Sequence, residues 1–151
     1  EAAVSAVFAT LDMPETRLAD RRFLNVSART ETDLKLWPTL ARFDLVYVGH
    51  FKCAQKRLVE YPNLWAYARD LWSWPGVAET YAPTEILSAY YQEDRDINPS
   101  GVVAVAPKLD WTAPHDRHRI GTRQIWSSQG SLLPFDAAVA LRESYLDEGQ
   151  A

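Results

Sequence analysis

The side chains with the most chemical potential crowd into one stretch, Arg42-Phe43-Asp44-Leu45-Val46-Tyr47-Val48-Gly49-His50-Phe51-Lys52-Cys53. His50 and the chain's one cysteine, Cys53, have the spacing of two metal ligands or of an activated thiol, with Arg42, Asp44 and Lys52 near in sequence to tune the charge. A second histidine pair, His115 and His118, could in principle add two more ligands. Each pair alone is a weak signal, neighbouring residues on a helix do not face each other, and a free cysteine usually behaves as a small buried hydrophobe. Cys53 is therefore expected to be buried and inert, no metal is expected, and the histidine pair reads as part of an exposed polar loop. The adjacent Tyr90-Tyr91 offers phenolic donors, which serve equally as core residues bonded to a backbone carbonyl or as ligand contacts.

These residues need elements to hold them. The chain has 151 residues, enough for one domain with a core of its own, and 47% hydrophobic and 24% charged residues are ordinary for a folded protein. A formal charge of −4 provides no general field for nucleic acid or an anionic membrane, and no apolar run approaches a membrane span. A cytoplasmic protein is the expectation. The sequence opens without methionine and already in helical register, with Val4, Val7, Phe8 and Leu11 on one face, so the N-terminus reads as a cut. Pro14 should kink or restart that helix.

Thr30 and Asp33 have the pattern of a capping box, and Leu34, Trp37, Leu40, Ala41 and Leu45 continue as a core-facing stripe, with a bend expected at Pro38. Arg42 and Asp44 read as an ion pair or helix-end partners. Tyr61-Pro62-Asn63 opens another helix that Trp74-Pro75-Gly76 stops, with Trp65 and Trp72 on a common face. Pro83-Thr84-Glu85 begins one more, carrying Ile86, Leu87, Tyr90 and Tyr91. Asn98-Pro99-Ser100-Gly101 has turn residues in order, Val102 to Ala106 is an extended apolar run, and the basic stretch from Arg117 to Arg123 reads as a solvated loop. The fold class is all-α, with a short extended segment and an irregular C-terminal tail.

In this order the motifs resemble one family, the glutathionyl-hydroquinone reductases or xi-class glutathione transferases. The resemblance rests on Thr30-Glu31-Thr32-Asp33-Leu34-Lys35-Leu36-Trp37, the Arg-Phe-Asp-x-Val-Tyr-x-x-His-Phe-Lys-Cys stretch, and Tyr61-Pro62-Asn63-Leu64. It continues through Arg69-Asp70-Leu71, Trp74-Pro75-Gly76-Val77-Ala78-Glu79-Thr80, Tyr90-Tyr91, Ile97-Asn98-Pro99-Ser100-Gly101 and Ala113-Pro114-His115-Asp116-Arg117. It implies a glutathione transferase C-terminal-type helical bundle over 1–117. The remainder, 118–151, finds no counterpart in the family and is an extension of unknown role, in which the amphipathic pattern reads as one helix over 135–146. The sequence departs from the family at Pro14, at Pro38 and at Ala89, where a histidine often precedes the tyrosines.

The resemblance implies that the nucleophilic cysteine, in a Cys-Pro-Trp-Ala type motif, and most of the site for the co-substrate glutathione belong to an upstream thioredoxin-like domain. No such motif is present here, so the chain carries no catalytic residue and should not turn over alone. Its implied contribution is a pocket for a quinone-type small molecule, with Tyr90 directed at a ring oxygen. Tyr91, Tyr47 and Phe51 are candidates for the pocket wall, and read first as core packing. Trp37 and Arg42 are domain-interface candidates, a homodimer is expected, and the face toward the upstream domain should be apolar. A non-catalytic helical interaction module of the same fold is the alternative.

Overall fold

The structure, a computed structural model, describes residues 2–25 and 29–120. The helix proposed over 135–146 and the tail from 121 lie outside the described residues. Within them the chain is helical, without a β-strand. The order is α1 (Ala2–Arg17), α2 (Glu31–Arg42), α3 (Pro62–Trp72) and α4 (Pro83–Ser88). A π-helical turn extends α2 over Phe43–Tyr47 and another extends α4 over Ala89–Glu93. Short 3₁₀ turns occupy Leu58–Glu60, Ala78–Thr80 and Arg117–Arg119.

Helix α1 does not stop or restart at Pro14: it runs on to Arg17 with the proline inside it. The ring removes one amide and leaves the Thr10 carbonyl without its helical donor, but Thr10 lies on the exposed side where solvent can reach it. Beyond the proline the Leu18 amide bonds the Pro14 carbonyl at 2.8 Å, and fully buried Leu18 anchors the end of the element. Packing of Phe8, Leu11 and Leu18 outweighs the single lost bond. Pro38 likewise lies inside α2, which continues to Arg42.

The predicted capping box is in place. The buried Asp33 carboxylate accepts the Thr30 amide and hydroxyl, each at 2.8 Å, the Leu24 amide at 3.1 Å and the Tyr67 hydroxyl at 2.6 Å. One carboxylate thus starts α2, ties down the preceding loop and holds α3. Burial and this carboxylate together push the Tyr67 phenol far above its ordinary value.

Helix α3 packs against both α1 and α2. Its first turn has Pro62 but no capping side chain of its own. Glu15 of α1 supplies one, accepting from the Asn63 amide at 3.1 Å, the Asn63 side chain at 2.9 Å and the Leu64 amide at 2.7 Å. At its other end Asp70, fully buried, takes both arms of Arg22 at 2.8 and 3.0 Å. The tryptophans gather here. Trp111 is buried, stacked on Trp72 and edge-on to Trp37 and Trp65.

The run after Trp111 is not wholly a solvated loop. His118 and Arg119 are exposed as expected, but Arg117 is 1% exposed. Its guanidinium donates to the carbonyls of Leu18, Arg21 and Arg22 at the end of α1 and to that of Asn63 at the start of α3. His115 is half-buried, 3.8 Å from Asp70. An arginine survives burial only where carbonyls or carboxylates meet its five donors, and a loop sequence does not reveal that they will.

Candidate functional site

The two π turns meet. Helix α4 packs against the turn that follows α2, and Leu45, Val46 and Ile86 form a small second core between them, covered by Tyr47, Phe51 and Tyr90. A π turn inserts an extra residue and re-aims the side chains after it, a device common at functional sites. Here it gathers aromatic rings. Tyr47 stacks on Phe43 with centroids 5.3 Å apart and presents its edge to Phe51 at 5.4 Å; Phe51 in turn meets Tyr90 at 5.9 Å, nearly perpendicular. Four residues named from sequence, Tyr47, Phe51, Tyr90 and Tyr91, therefore share one neighbourhood, with His50 among them.

The tyrosine pair splits. Tyr91 is 5% exposed, its hydroxyl donates to the Leu45 carbonyl at 3.3 Å, and burial raises its phenol above the ordinary value. Tyr90 is half-buried, and no hydrogen bond engages its hydroxyl among the described residues. Gly49 faces Tyr91 so closely that a Cβ built on it would overlap the Tyr91 hydroxyl. Only glycine fits at this approach.

His50 and Cys53 do not form a site together. The His50 Nε2 pairs with Asp94 at 3.1 Å, whereas the buried Cys53 thiol reaches only the Phe51 carbonyl, at 3.8 Å. Burial pushes the Cys53 thiol up, away from the thiolate. Lys52 is also committed, donating to the Gly49 carbonyl at 2.8 Å from a left-handed backbone with φ of 60°. Among the described residues no three of histidine, cysteine, aspartate and glutamate are placed to hold a metal ion.

Asp44 does not pair with Arg42. It is buried and accepts the Leu58 amide at 2.6 Å and Arg57 at 3.4 Å, pinning the 3₁₀ turn to the first π turn. Desolvation raises its carboxyl despite these donors. Arg42 turns back to the Pro38 carbonyl at 3.0 Å. Trp37 lies in the tryptophan cluster at 5% exposure, with its indole N–H on the Thr80 hydroxyl at 2.9 Å, so it has little surface to offer a neighbouring domain. Tyr47 and Phe43 also border a groove of about 670 Å³ between α1 and α2, whose wall includes Val7, Leu11, Leu24 and Leu36.

Sequence reasoning missed Asp94, for which nothing signals a partner forty-four residues away, and the contact at Gly49. An isolated glycine directly before the histidine was the available hint of close approach.

The family profile described as "Glutathione S-transferase, C-terminal domain" matches residues 1–70. Glutathionyl-hydroquinone reductase YqjG of Escherichia coli (strain K12) is 42% identical over 115 residues, covering 76% of this chain and 35% of that protein. Its glutathione-bound structure superposes with a TM-score of 0.75, over 78% of this chain and 38% of that one. The helical body is a glutathione S-transferase C-terminal domain. This transferase domain is also 41% identical over 107 residues to glutathionyl-hydroquinone reductase PcpF of Sphingobium chlorophenolicum, covering 71% of the chain and 34% of PcpF. A xi-class glutathione transferase from Natrialba magadii is 42% identical with a TM-score of 0.76, over 78% of the chain and 36% of that structure. The domain thus spans about a third of the length of these curated relatives and is of the kind that glutathionyl-hydroquinone reductases carry. No helix among the described residues is long and apolar enough to cross a membrane.

Proposed function

We propose that this domain forms the quinone-facing half of a glutathionyl-hydroquinone reductase and that Tyr90 is its contact with the substrate ring. The observation that supports the reading is the split tyrosine pair: Tyr91 spends its hydroxyl on the Leu45 carbonyl, while the hydroxyl of Tyr90, beside Phe51, is engaged by no hydrogen bond among the described residues. Aromatic walls at Tyr47 and Phe51 suit a flat apolar ring, and a free phenol suits its oxygen.

The nucleophile belongs to an upstream thioredoxin-like domain, since the one cysteine here is buried with its thiol pushed up. The upstream thiolate attacks the sulfur of the glutathionyl-hydroquinone, forming an enzyme–glutathione disulfide. The carbon–sulfur bond breaks with its electron pair passing to the ring, which takes up a proton and leaves as hydroquinone. A second glutathione, as thiolate, attacks the mixed disulfide, releases glutathione disulfide and restores the enzyme thiolate. Electron density that reaches a ring oxygen during carbon–sulfur cleavage is stabilised by the Tyr90 O–H. The domain also contributes part of a homodimer contact.

The test compares the isolated domain with the same domain joined to a thioredoxin-like domain bearing a Cys-Pro motif. Joined, it should convert a glutathionyl-hydroquinone and glutathione into hydroquinone and glutathione disulfide; alone, it should be silent. Turnover by the isolated domain, or a folded joined protein without turnover, would refute the reading.

A further inference from the structure

We infer that His50 is a positioning residue for Tyr90, and that Asp94 is the group that holds it. The imidazole is 1% exposed and bridges the two π turns: it follows the first, while Asp94 follows the second. Its Nε2–H donates to the Asp94 carboxylate at 3.1 Å, and its buried Nδ1 has no hydrogen-bond partner among the described residues. Among the described residues the Asp94 bond is therefore the one polar restraint on the rotation of the ring.

That rotation matters because three aromatic rings are referred to it. His50 lies edge-on to Phe51 at 4.9 Å, to Tyr91 at 5.1 Å and to Tyr90 at 6.0 Å. Tyr91 cannot yield, being bonded to Leu45 and pressed against Gly49. Phe51 is wedged between Tyr47 and Tyr90. A turn of the imidazole would be taken up by Tyr90, whose hydroxyl no hydrogen bond engages among the described residues. Asp94 thus fixes His50, and His50 fixes the plane of Tyr90 and the direction of its hydroxyl. Asp94 itself has 35% of its side chain exposed, so it can be changed without opening a core cavity.

This inference rests on the reading of Tyr90 as the quinone contact, and a double-mutant cycle separates the two. In the assembled two-domain protein, Asp94→Ala should lower kcat for a glutathionyl-hydroquinone about tenfold when Tyr90 is present and by less than about twofold in a Tyr90→Phe background. Asp94→Asn, which keeps an acceptor oxygen, should restore most of the rate. His50→Phe, which keeps a ring but loses the Asp94 bond, should match Asp94→Ala. Equal losses in both backgrounds would mean a general structural role and overturn the inference, as would no loss from Asp94→Ala. If Tyr90→Phe alone leaves the rate unchanged, the functional reading itself fails and the positioning role falls with it.

Discussion

Tyr90 and Tyr91 are adjacent in sequence and differ in hydrogen bonding among the described residues, and single substitutions should separate the roles proposed for them. Tyr91→Phe removes the donor to the Leu45 carbonyl and should cost about 1–2 kcal/mol in chemical denaturation, with turnover of the assembled protein little changed. Large loss of turnover with full stability would reverse the assignment of the pair. Gly49→Ala should be worse than Tyr91→Phe, because the added methyl meets the Tyr91 hydroxyl inside packed structure. Cys53 yields a separate expectation. With 4% exposure and a thiol pushed up by burial, it should react slowly with a thiol reagent at neutral pH and rapidly once denaturant is added. Fast labelling of the folded domain would contradict its inert role.

At the level of elements, α1 depends on residues far along the chain. Arg117 closes its end by donating to Leu18, Arg21 and Arg22, and Glu15 repays the contact by capping α3. Arg117→Met should destabilise the domain by about 3 kcal/mol or more, since the carbonyls of Leu18, Arg21, Arg22 and Asn63 lose their donor. Arg117→Lys should recover little, because an ammonium cannot span carbonyls from two helices as the planar fork does. A denaturation midpoint within error of the parent for both variants would show that water replaces the arginine without cost. The elements themselves were largely legible in the sequence: Thr30 and Asp33 mark the start of α2, Pro62 marks that of α3, and Asn98 to Gly101 turn with the Gly101 amide on the Asn98 carbonyl at 3.0 Å. What could not be read is long-range. Pro14 looks like a breaker until Leu18 is seen buried beyond it, and Arg117 looks solvated until the end of α1 is folded against it. Local propensity lost to tertiary packing in both cases. At the candidate site, the aromatic residues were legible as types, whereas the His50–Asp94 link and the different surroundings of the two tyrosines depend on how the π turns meet.

Across the whole molecule, two buried phenols make alkaline pH costly. Burial, helped by the Asp12 carboxylate, pushes the Tyr61 phenol from 10.0 up to about 12, and Tyr67 is pushed further in the same direction. The unfolded chain releases these protons above pH 10 while the folded chain retains them, so unfolding is accompanied by proton release. Stability should therefore be intact below pH 10 and fall as pH rises through the interval from 10 to about 12, by about 1.4 kcal/mol per pH unit for each tyrosine. Thermal denaturation across that interval checks the slope, and Tyr67→Phe should flatten it. The molecule also leaves apolar surface uncovered, both in the groove between α1 and α2 and along the extended run where Val102 is 69% and Val105 is 96% exposed. Such a surface predicts concentration-dependent association of the isolated domain, visible in sedimentation or light scattering. A strict monomer at all concentrations would indicate that neither surface is a contact.

The central claim is that the Tyr90 phenol faces the substrate ring, and steady-state kinetics of Tyr90→Phe in the assembled protein address it most directly. The account predicts a kcat lowered about tenfold or more for a glutathionyl-hydroquinone, with the melting temperature of the domain unchanged. A kcat equal to that of the unsubstituted protein would contradict it.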